Sequence, residues 1–132
     1  MTDTILTINP GSATIKLGVF ALDRGSARVL GRATLDEATS KLRVQAGETR
    51  AEDALSSEAP TPVLIEQALA CLAGHLPMRG LKAIGQRVVH GGDHFAGPAL
   101  INDDVLAEIE ALTSLAPLHQ PKSVALIHAL RQ

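Results

Sequence analysis

The hydrophobic pattern changes its period part-way along the chain, and this change constrains the fold more than any other feature. Before residue 47, apolar and polar side chains alternate, as in residues 15–20 (IKLGVF) and 41–46 (KLRVQA). After residue 60, apolar residues recur every three or four positions. Alternation is typical of strands with one buried face, and the longer period is typical of amphipathic helices. The sequence therefore predicts strands in the first half and mainly helices in the second.

The first half is predicted to contain four strands and one long loop. The strands are Thr4–Ile8, Ile15–Phe20, Ala27–Leu35 and Lys41–Ala46. Pro10 and Gly11 lie between the first two, where Pro presets one turn position and Gly tolerates positive φ at the next, so we expect a β-hairpin. The stretch from Ala46 to Pro60 is polar and small, and we expect a loop.

Three helices and one further strand are predicted in the second half. Thr61 and Pro62 have the pattern of an N-cap followed by a first helical residue. Asn102 is expected to cap a second helix, and Pro121 to begin a third. A strand is expected within residues 81–90, between the first two helices. The order strands, helix, strand, helix, helix predicts an α/β fold with a sheet flanked by helices.

Size and composition exclude several classes of protein. The chain has 132 residues, 45% of them hydrophobic, which is typical of one globular domain with an aliphatic core. A net charge of −2 and only two aromatic residues, Phe20 and Phe95, argue against nucleic-acid binding. The single cysteine, Cys71, excludes an internal disulfide and a cysteine-based zinc cluster. No signal peptide or membrane span is visible, so we expect a cytoplasmic protein.

The turn of the predicted hairpin carries a group of small polar residues. Asn9, Ser12, Thr14 and Lys16 offer an amide, two hydroxyls and an ammonium around Gly11. Glycine lets the backbone approach a ligand closely, and backbone N–H groups in such a turn can bind phosphate. The alternative is a hairpin turn with solvated polar residues, because small polar residues fill most turns.

A second polar segment, GQRVVHGGDHF at residues 85–95, places an arginine within an otherwise apolar strand. A buried Arg87 needs a partner, and its planar guanidinium suits two-point contact with a carboxylate or phosphate. The alternative is a structural ion pair with Asp93 or Glu110. Both interpretations remain open from the residues alone.

The histidines suggest one further site. His119 lies in LAPLHQP, residues 115–121, where flanking prolines would hold a substrate-contacting group in place. The alternative is a surface histidine in a helix–helix linker. His90, Asp93 and His94 are metal-binding residue types, but three of them in one glycine-rich loop lack a second ligand cluster, and we expect no metal site there.

Taken together, the three segments resemble motifs of the acetate kinase family. INPGSATIKLGVF (residues 8–20) is similar to its phosphate-loop pattern Asn-x-Gly-Ser-Ser-Ser-x-Lys. GQRVVHGGDHF resembles Gly-x-Arg-x-x-His-Gly-Gly, and LAPLHQP resembles Ala-Pro-Leu-His-Asn-Pro. The resemblance extends from Thr4 to Arg131 and corresponds to the N-terminal portion of the family. It implies a ribonuclease-H-like half of the actin, sugar-kinase and Hsp70 ATPase superfold, in which nucleotide binds between two such halves.

The implied activity is reversible transfer of the γ-phosphoryl group of ATP to acetate, giving acetyl phosphate and ADP with Mg²⁺. On the nucleotide side, Asn9 matches the family residue near the transferred phosphate and the metal. Gly11, Ser12, Thr14 and Lys16 match positions of the phosphate loop.

On the substrate side, Arg87 matches the arginine that binds the substrate carboxylate and stabilises the transferring group. His119 matches the histidine of the active-site pocket. Val89 and Leu118 match positions that line the small pocket for the substrate methyl group. The resemblance therefore implies that Arg87 and His119 are catalytic.

The sequence also departs from the family pattern. Pro10 and Ala13 differ from the commoner residues, and an Asn-Pro-Gly-Ser opening is also seen in butyrate kinases. The family's aspartate motif, glycine-rich adenosine loop and C-terminal glutamate have no counterpart here. We therefore expect residues 1–132 to be an incomplete N-terminal domain without the second nucleotide-binding domain, inactive alone, and working as a homodimer or with a second chain that supplies the missing half.

Two alternatives to an acetate kinase portion remain at this point. One is a propionate or butyrate kinase fragment, because the matching half does not separate these substrates. The other is a non-catalytic remnant that acts as a protein-interaction module. The second alternative predicts an exposed apolar patch near the C-terminal helix.

Overall fold

Six strands form one mixed sheet in the order β5-β4-β3-β2-β1-β6. The computed structural model describes residues 3–88, 97–113 and 120–131. The strands are β1 (Thr4–Pro10), β2 (Thr14–Asp23), β3 (Ser26–Asp36), β4 (Lys41–Ala46), β5 (Thr49–Ala54) and β6 (Leu81–Gln86). All neighbouring pairs are antiparallel except β1 and β6, which run parallel. A parallel pair needs a crossover connection, and here the chain from β1 to β6 runs through β2 to β5 and one helix.

The first hairpin forms as predicted, but its turn lies further along the chain. Pro10 belongs to β1, is buried and pairs with Ile15, so it does not occupy a central turn position. The chain reverses over residues 11–13, where the Gly11 N–H donates to the Thr14 carbonyl at 2.7 Å. A Cβ at Gly11 would lie 3.2 Å from that same carbonyl oxygen, so the glycine is favoured by close backbone approach.

The prediction of a loop from Ala46 to Pro60 was wrong, because β5 lies within it. The strand pairs antiparallel with β4 after a tight turn at Gly47, whose φ is +62°. Its sequence, TRAEDA, has no large apolar residue, so no hydrophobic alternation marks it. The Glu52 carboxylate contacts Arg43 on β4 at 3.2 Å, and Asp53 contacts His75 at 3.0 Å. Cross-strand pairing and side-chain contacts therefore hold β5 in place.

One face of the sheet carries the core. Alternate residues of the first four strands point to this face, and the core contains only aliphatic side chains among the described residues. From the strands it includes Leu6, Ile8, Ile15, Leu17, Val19, Ala33, Leu35, Leu42 and Val44. Leu64, Ile65, Ala68, Leu72 and Leu126 from two helices pack against them. The predicted aliphatic core is confirmed, and helices cover the sheet on that face.

The three helices are α1 (Thr61–His75), α2 (Asp103–Ala111) and α3 (Gln120–Leu130). The prediction for α2 is confirmed, because the Asn102 side chain accepts a hydrogen bond from the Val105 N–H at 2.8 Å. For α1 it was wrong: Pro60 is the N-cap, and the Thr61 hydroxyl donates to Glu37 at 3.0 Å instead of capping. Within the described part of the chain, none of the helices has the length and apolar character needed to cross a membrane.

Candidate functional site

Two of the predicted site residues lie side by side at the hairpin. Asn9 on β1 pairs with Lys16 on β2, and both side chains are exposed. They lie on the sheet face opposite the core, because Ile8 and Leu17 beside them are buried. Thr14 shares the face of Lys16 by the same alternation. Ser12 is exposed in the turn, so its hydroxyl is accessible from solvent.

Arg87 continues this arrangement onto the next strand. Its backbone N–H donates to the Ile8 carbonyl at 2.9 Å and extends the parallel pairing of β1 and β6 by one residue. The preceding residue, Gln86, faces the helices, since its Nε2 donates to the Ser123 carbonyl at 2.9 Å. Because successive side chains alternate, the register assigns Arg87 to the face of Asn9 and Lys16. We call Lys16, Asn9 and Arg87 the polar row; neighbouring strands are about 4.8 Å apart.

The environment of Arg87 differs from the one expected. Arg87 is exposed and follows the end of β6, so the interpretation as an arginine buried within a strand was wrong. Glu110, one suggested ion-pair partner, contacts His128 at 2.9 Å. Asp93, the other, lies outside the described residues. An exposed guanidinium in one row with Lys16 is suited to bind an anion.

The sequence reasoning missed a contact between the hairpin and α3. Lys122 Nζ donates to the Gly11 carbonyl at 2.5 Å and forms an ion pair with the Glu37 carboxylate. The side chains of Lys122 and Glu37 are only 15% and 20% exposed. The other Glu37 carboxylate oxygen accepts the Thr61 hydrogen bond. The sequence signal is a lysine in the first turn of a helix, where the helix dipole disfavours positive charge.

Hydrogen bonds therefore join the hairpin, the end of β6 and the start of α3. The hairpin and the start of α3 are joined by Lys122 and Gly11, and the end of β6 and α3 by Gln86 and Ser123. The hairpin and the end of β6 are joined through Arg87. Segments separated by more than 30 residues in sequence thus meet at one end of the sheet.

Three predicted site residues, Val89, Leu118 and His119, lie outside the described residues. The described residues that flank them in sequence are Val88 and Gln120. Val88 packs against the small apolar cluster of α2 and α3, and Gln120 is buried at the start of α3 with its Nε2 donating to the Ile109 carbonyl at 3.1 Å. The described chain therefore reaches the polar row's end of the sheet on both sides of these residues.

The exposed sheet face beside the row is positively charged. A shallow groove of about 760 Å³ is lined by Lys16, Arg32, Arg43 and Arg50, with Glu52 as the one carboxylate in its lining. Glu52 is already paired with Arg43. This excess of cations over carboxylates favours an anionic ligand on this face.

The same residues do not make a metal site by themselves. Mg²⁺ is usually held by one or two carboxylates together with phosphate oxygens, whereas the polar row offers one amide oxygen, from Asn9, beside two cations. Among residues 3–88, 97–113 and 120–131 there is no group of three or more His, Cys, Asp or Glu side chains placed to hold a metal. The trio His90, Asp93 and His94 lies outside those ranges.

The fold, a mixed sheet flanked by helices, is that of the actin-like and sugar-kinase-like superfold. Residues 4–132 match the acetokinase family, and the chain belongs to it. Acetate kinase from Streptomyces coelicolor is 37% identical over 131 residues, which cover 91% of this chain and 31% of that protein. Acetate kinase 1 from Vibrio cholerae is 37% identical over 142 residues, with 100% and 34% coverage.

Solved structures agree with this assignment. A propionate kinase from Francisella tularensis superposes with a TM-score of 0.83 at 30% identity, covering 98% of this chain and 34% of that one. Acetate kinase from Porphyromonas gingivalis gives a TM-score of 0.81 at 22% identity and shows the fold alone. The chain spans about a third of the length of the curated relatives it matches. The family contains kinases, so the chain belongs to a family of phosphotransferases.

Proposed function

We propose that this chain is the N-terminal portion of a kinase that transfers the γ-phosphoryl group of ATP to acetate, giving acetyl phosphate and ADP. The observation that carries the proposal is the polar row: Lys16, Asn9 and Arg87 are exposed on neighbouring strands at the hairpin. In this proposal the row lies where a nucleotide phosphate and a carboxylate substrate meet.

The phosphate side of the site is assigned to the hairpin. Ser12, Thr14 and Lys16 provide two hydroxyls and an ammonium, which together bind phosphate oxygens. Gly11 keeps the turn narrow, so that a phosphate can approach the backbone. Lysine acts here as a point charge, in contrast to the two-point geometry of arginine.

The carboxylate side is assigned to Arg87. Acetate must approach the γ-phosphate although both are anionic, and like charges 4 Å apart repel by about 1 kcal/mol in water and about 4 kcal/mol near a protein surface. A guanidinium that binds the carboxylate through two parallel hydrogen bonds offsets this repulsion and orients the attacking oxygen. Phosphoryl transfer depends mainly on such positioning and charge neutralisation.

The acceptor pocket is assigned by family resemblance to Val89 and Leu118, with His119 donating a hydrogen bond to the transferring group. A pocket of this kind separates acetate from propionate by one methylene, which is worth about 1–3 kcal/mol. Propionate is therefore the second candidate acceptor, and the similarity to the Francisella propionate kinase favours testing it.

The cofactors of the proposed reaction are ATP or ADP and Mg²⁺, which neutralises phosphate charge when bound. The described residues do not form a metal site by themselves. Mg²⁺ would therefore be held mainly by phosphate oxygens, with Asn9 as one further oxygen ligand. We assign the remaining nucleotide contacts to a second domain, because the chain spans about a third of its relatives. We further propose that the enzyme works in the cytoplasm as a homodimer or with that second part on another chain.

The proposal is tested in a chimera in which residues 4–132 replace the matching segment of the Streptomyces coelicolor acetate kinase. We expect the chimera to form acetyl phosphate, measured as acetyl hydroxamate, and the isolated chain to form none. Arg87→Ala should lower kcat/KM for acetate by about 10²–10³-fold, the usual effect of removing a group that stabilises transition-state charge. Arg87→Lys should recover little of this loss, because lysine lacks the two-point geometry.

Arg79→Ala is the matched control. Arg79 is exposed and precedes β6, at the opposite end of the strand from Arg87. Its replacement should leave kcat/KM within twofold of the parent chimera. A chimera that folds but makes no acetyl or propionyl phosphate would favour the non-catalytic remnant. Unchanged kinetics in Arg87→Ala would remove Arg87 from the mechanism.

A further inference from the structure

The groove on the exposed sheet face is built from two neighbouring cross-strand rows. The first row consists of register partners on β2, β3, β4 and β5, namely Lys16, Thr34, Arg43 and Glu52. The second row consists of register partners on β3, β4 and β5, namely Arg32, Gln45 and Arg50. Members of both rows line the groove. Because residues two apart on a strand share a face, the two rows lie side by side.

The groove is positively charged, although the chain as a whole carries a net charge of −2. Glu52, the one carboxylate in its lining, lies 3.2 Å from Arg43 Nε and 3.6 Å from Lys41 Nζ, so two cations already share its charge. Among the described residues, the other cations of the lining, Lys16, Arg32 and Arg50, make no ion pair. The described part of the chain therefore leaves the positive charge of the groove uncompensated.

Arg32 and Arg50 provide directed hydrogen-bond donors at two places in the groove. The Arg32 guanidinium lies over the Phe20 ring, with its central carbon 5.7 Å from the ring centroid, and this cation–π contact orients it. Arg50 is exposed two strands away, about 10 Å from Arg32 at the backbone. Each guanidinium can hold one phosphate group through two parallel hydrogen bonds. Gln45, between them in the row, adds an amide.

This arrangement selects one class of anion. Two separate guanidiniums suit a ligand with two phosphate groups better than a ligand with one. Like charges on neighbouring strands also repel one another, and a polyanion offsets that repulsion. The described lining of the groove contains no aromatic ring, so it offers no surface on which a nucleotide base could stack. The groove therefore favours linked phosphate groups that carry no base.

We propose that this groove, hereafter the β2–β5 groove, is a second anion site that binds a small molecule with two or more linked phosphate groups. It shares Lys16 with the polar row. It extends from Lys16 away from Asn9 and Arg87, because β3, β4 and β5 lie on the other side of β2 from β1 and β6. The inference goes beyond the proposed phosphotransfer and does not rest on it.

The test measures the binding of inorganic tripolyphosphate to the 132-residue chain by isothermal titration calorimetry, without Mg²⁺ and at fixed ionic strength. We expect a 1:1 complex. Inorganic phosphate should bind at least tenfold more weakly, because one phosphate group contacts only one guanidinium through two hydrogen bonds. In ¹H–¹⁵N spectra, tripolyphosphate should shift the backbone amides of Arg32, Gln45 and Arg50 more than those of residues 11–13.

Two variants and two controls locate the ligand. Arg32→Gln and Arg50→Gln should each weaken tripolyphosphate binding about tenfold or more, because each removes hydrogen bonds to a charged group. Arg28→Gln is the matched control, since Arg28 is exposed on the same strand as Arg32 but does not line the groove. It should change the dissociation constant less than twofold, and so should Arg87→Gln in the polar row. Circular dichroism melts check that all four variants remain folded.

Several outcomes would overturn the inference. These are no binding of tripolyphosphate, equal binding of inorganic phosphate, or a loss in Arg28→Gln as large as that in Arg32→Gln. A loss in Arg87→Gln alone would assign the ligand to the polar row instead. A single-stranded oligonucleotide that binds more tightly than tripolyphosphate, and is released by Arg50→Gln, would assign the groove to nucleic acid. Since these readouts report binding, a chimera that forms no acetyl phosphate contradicts only the proposed function.

Discussion

Replacing Lys122 is expected to destabilise the end of the sheet where the hairpin, β6 and α3 meet. Lys122 on α3 joins the Gly11 carbonyl in the hairpin to the Glu37 carboxylate at the end of β3. Glu37 in turn accepts from Thr61 at the start of α1. One ammonium therefore connects four parts of the chain. Lys122→Met keeps the length and apolar stem of the side chain and removes only its charge and hydrogen bonds.

The magnitude depends on how far the ion pair is removed from water. Breaking one side of a buried pair costs about 3–5 kcal/mol, because it leaves the other charge uncompensated. An exposed pair is worth about 0–1 kcal/mol. With Lys122 and Glu37 only 15% and 20% exposed, the pair lies nearer the buried limit. We expect Lys122→Met to lower the free energy of unfolding by about 2–3 kcal/mol.

The double variant separates the pair from its surroundings. In Lys122→Met with Glu37→Gln, no charge is left without a partner, and the amide can still accept from Thr61. We expect a loss of about 1–1.5 kcal/mol, smaller than that of Lys122→Met alone. With Glu37→Gln measured separately, the double-mutant cycle should give a favourable coupling energy between the two residues, because the double variant should cost less than the two single variants together.

Urea unfolding monitored by circular dichroism measures these differences, provided that the m-value is the same in all variants. Lys41→Met is the matched control. Lys41 contacts Glu52 at 3.6 Å, but both side chains are about half exposed, so its loss should be below about 0.5 kcal/mol. If Lys122→Met unfolds at the same urea concentration as Lys41→Met, the pair is not buried in the sense argued here. If the losses of unfolding free energy in Lys122→Met and Glu37→Gln simply add in the double variant, the two residues are not coupled.

Two further predictions concern stability and use the same urea assay. Asn102→Ala should cost about 1 kcal/mol, because it removes the cap of the Val105 N–H; an unchanged midpoint would show that α2 does not depend on this cap. Gly31→Ala should cost about 1–2 kcal/mol by overpacking, because a Cβ there would lie 2.6 Å from Cδ2 of the buried Leu76. Gly85→Ala, where a Cβ meets no described atom within 4 Å, is its control and should be neutral; equal losses in the two variants would contradict the packing argument.

Strands with one buried face were predictable because local alternation records burial. The strands β1 to β4 lie within a few residues of the predicted ranges, and the period of three to four residues located α1 and α2. β5 could not be predicted in this way. Its position depends on pairing with β4 and on charged contacts such as Arg43 with Glu52, and these contacts join residues nine apart in sequence that no local pattern relates.

The capping prediction at Thr61 was wrong for a similar reason. A hydroxyl before Pro62 has the local pattern of an N-cap, but Thr61 donates instead to Glu37, 24 residues earlier in sequence. The carboxylate is held there by Lys122, from a third part of the chain. A tertiary partner therefore replaced the local hydrogen bond, and only the folded arrangement shows which of the two forms.

The candidate site was predictable in its residue types but not in its arrangement. Asn9 and Lys16 could be grouped at the hairpin, but their direct cross-strand pairing could not be predicted, because the turn lies further along the chain than expected. The position of Arg87 beside them depends on the parallel register of β6 on β1, and a crossover connection leaves that register unspecified in the sequence. The sequence predicted a buried Arg87 within the strand, whereas in the structure Arg87 is exposed and follows the last residue of β6.

The exposure of the polar row limits how strongly it can hold an anion in this structure. At 4 Å, opposite charges attract by about 1 kcal/mol in water, but by about 4 kcal/mol near a protein surface that limits solvent access. Asn9, Lys16 and Arg87 are all exposed in the described structure, so each alone would hold an anion weakly. Any surface that covered the row and excluded water would strengthen each of these interactions.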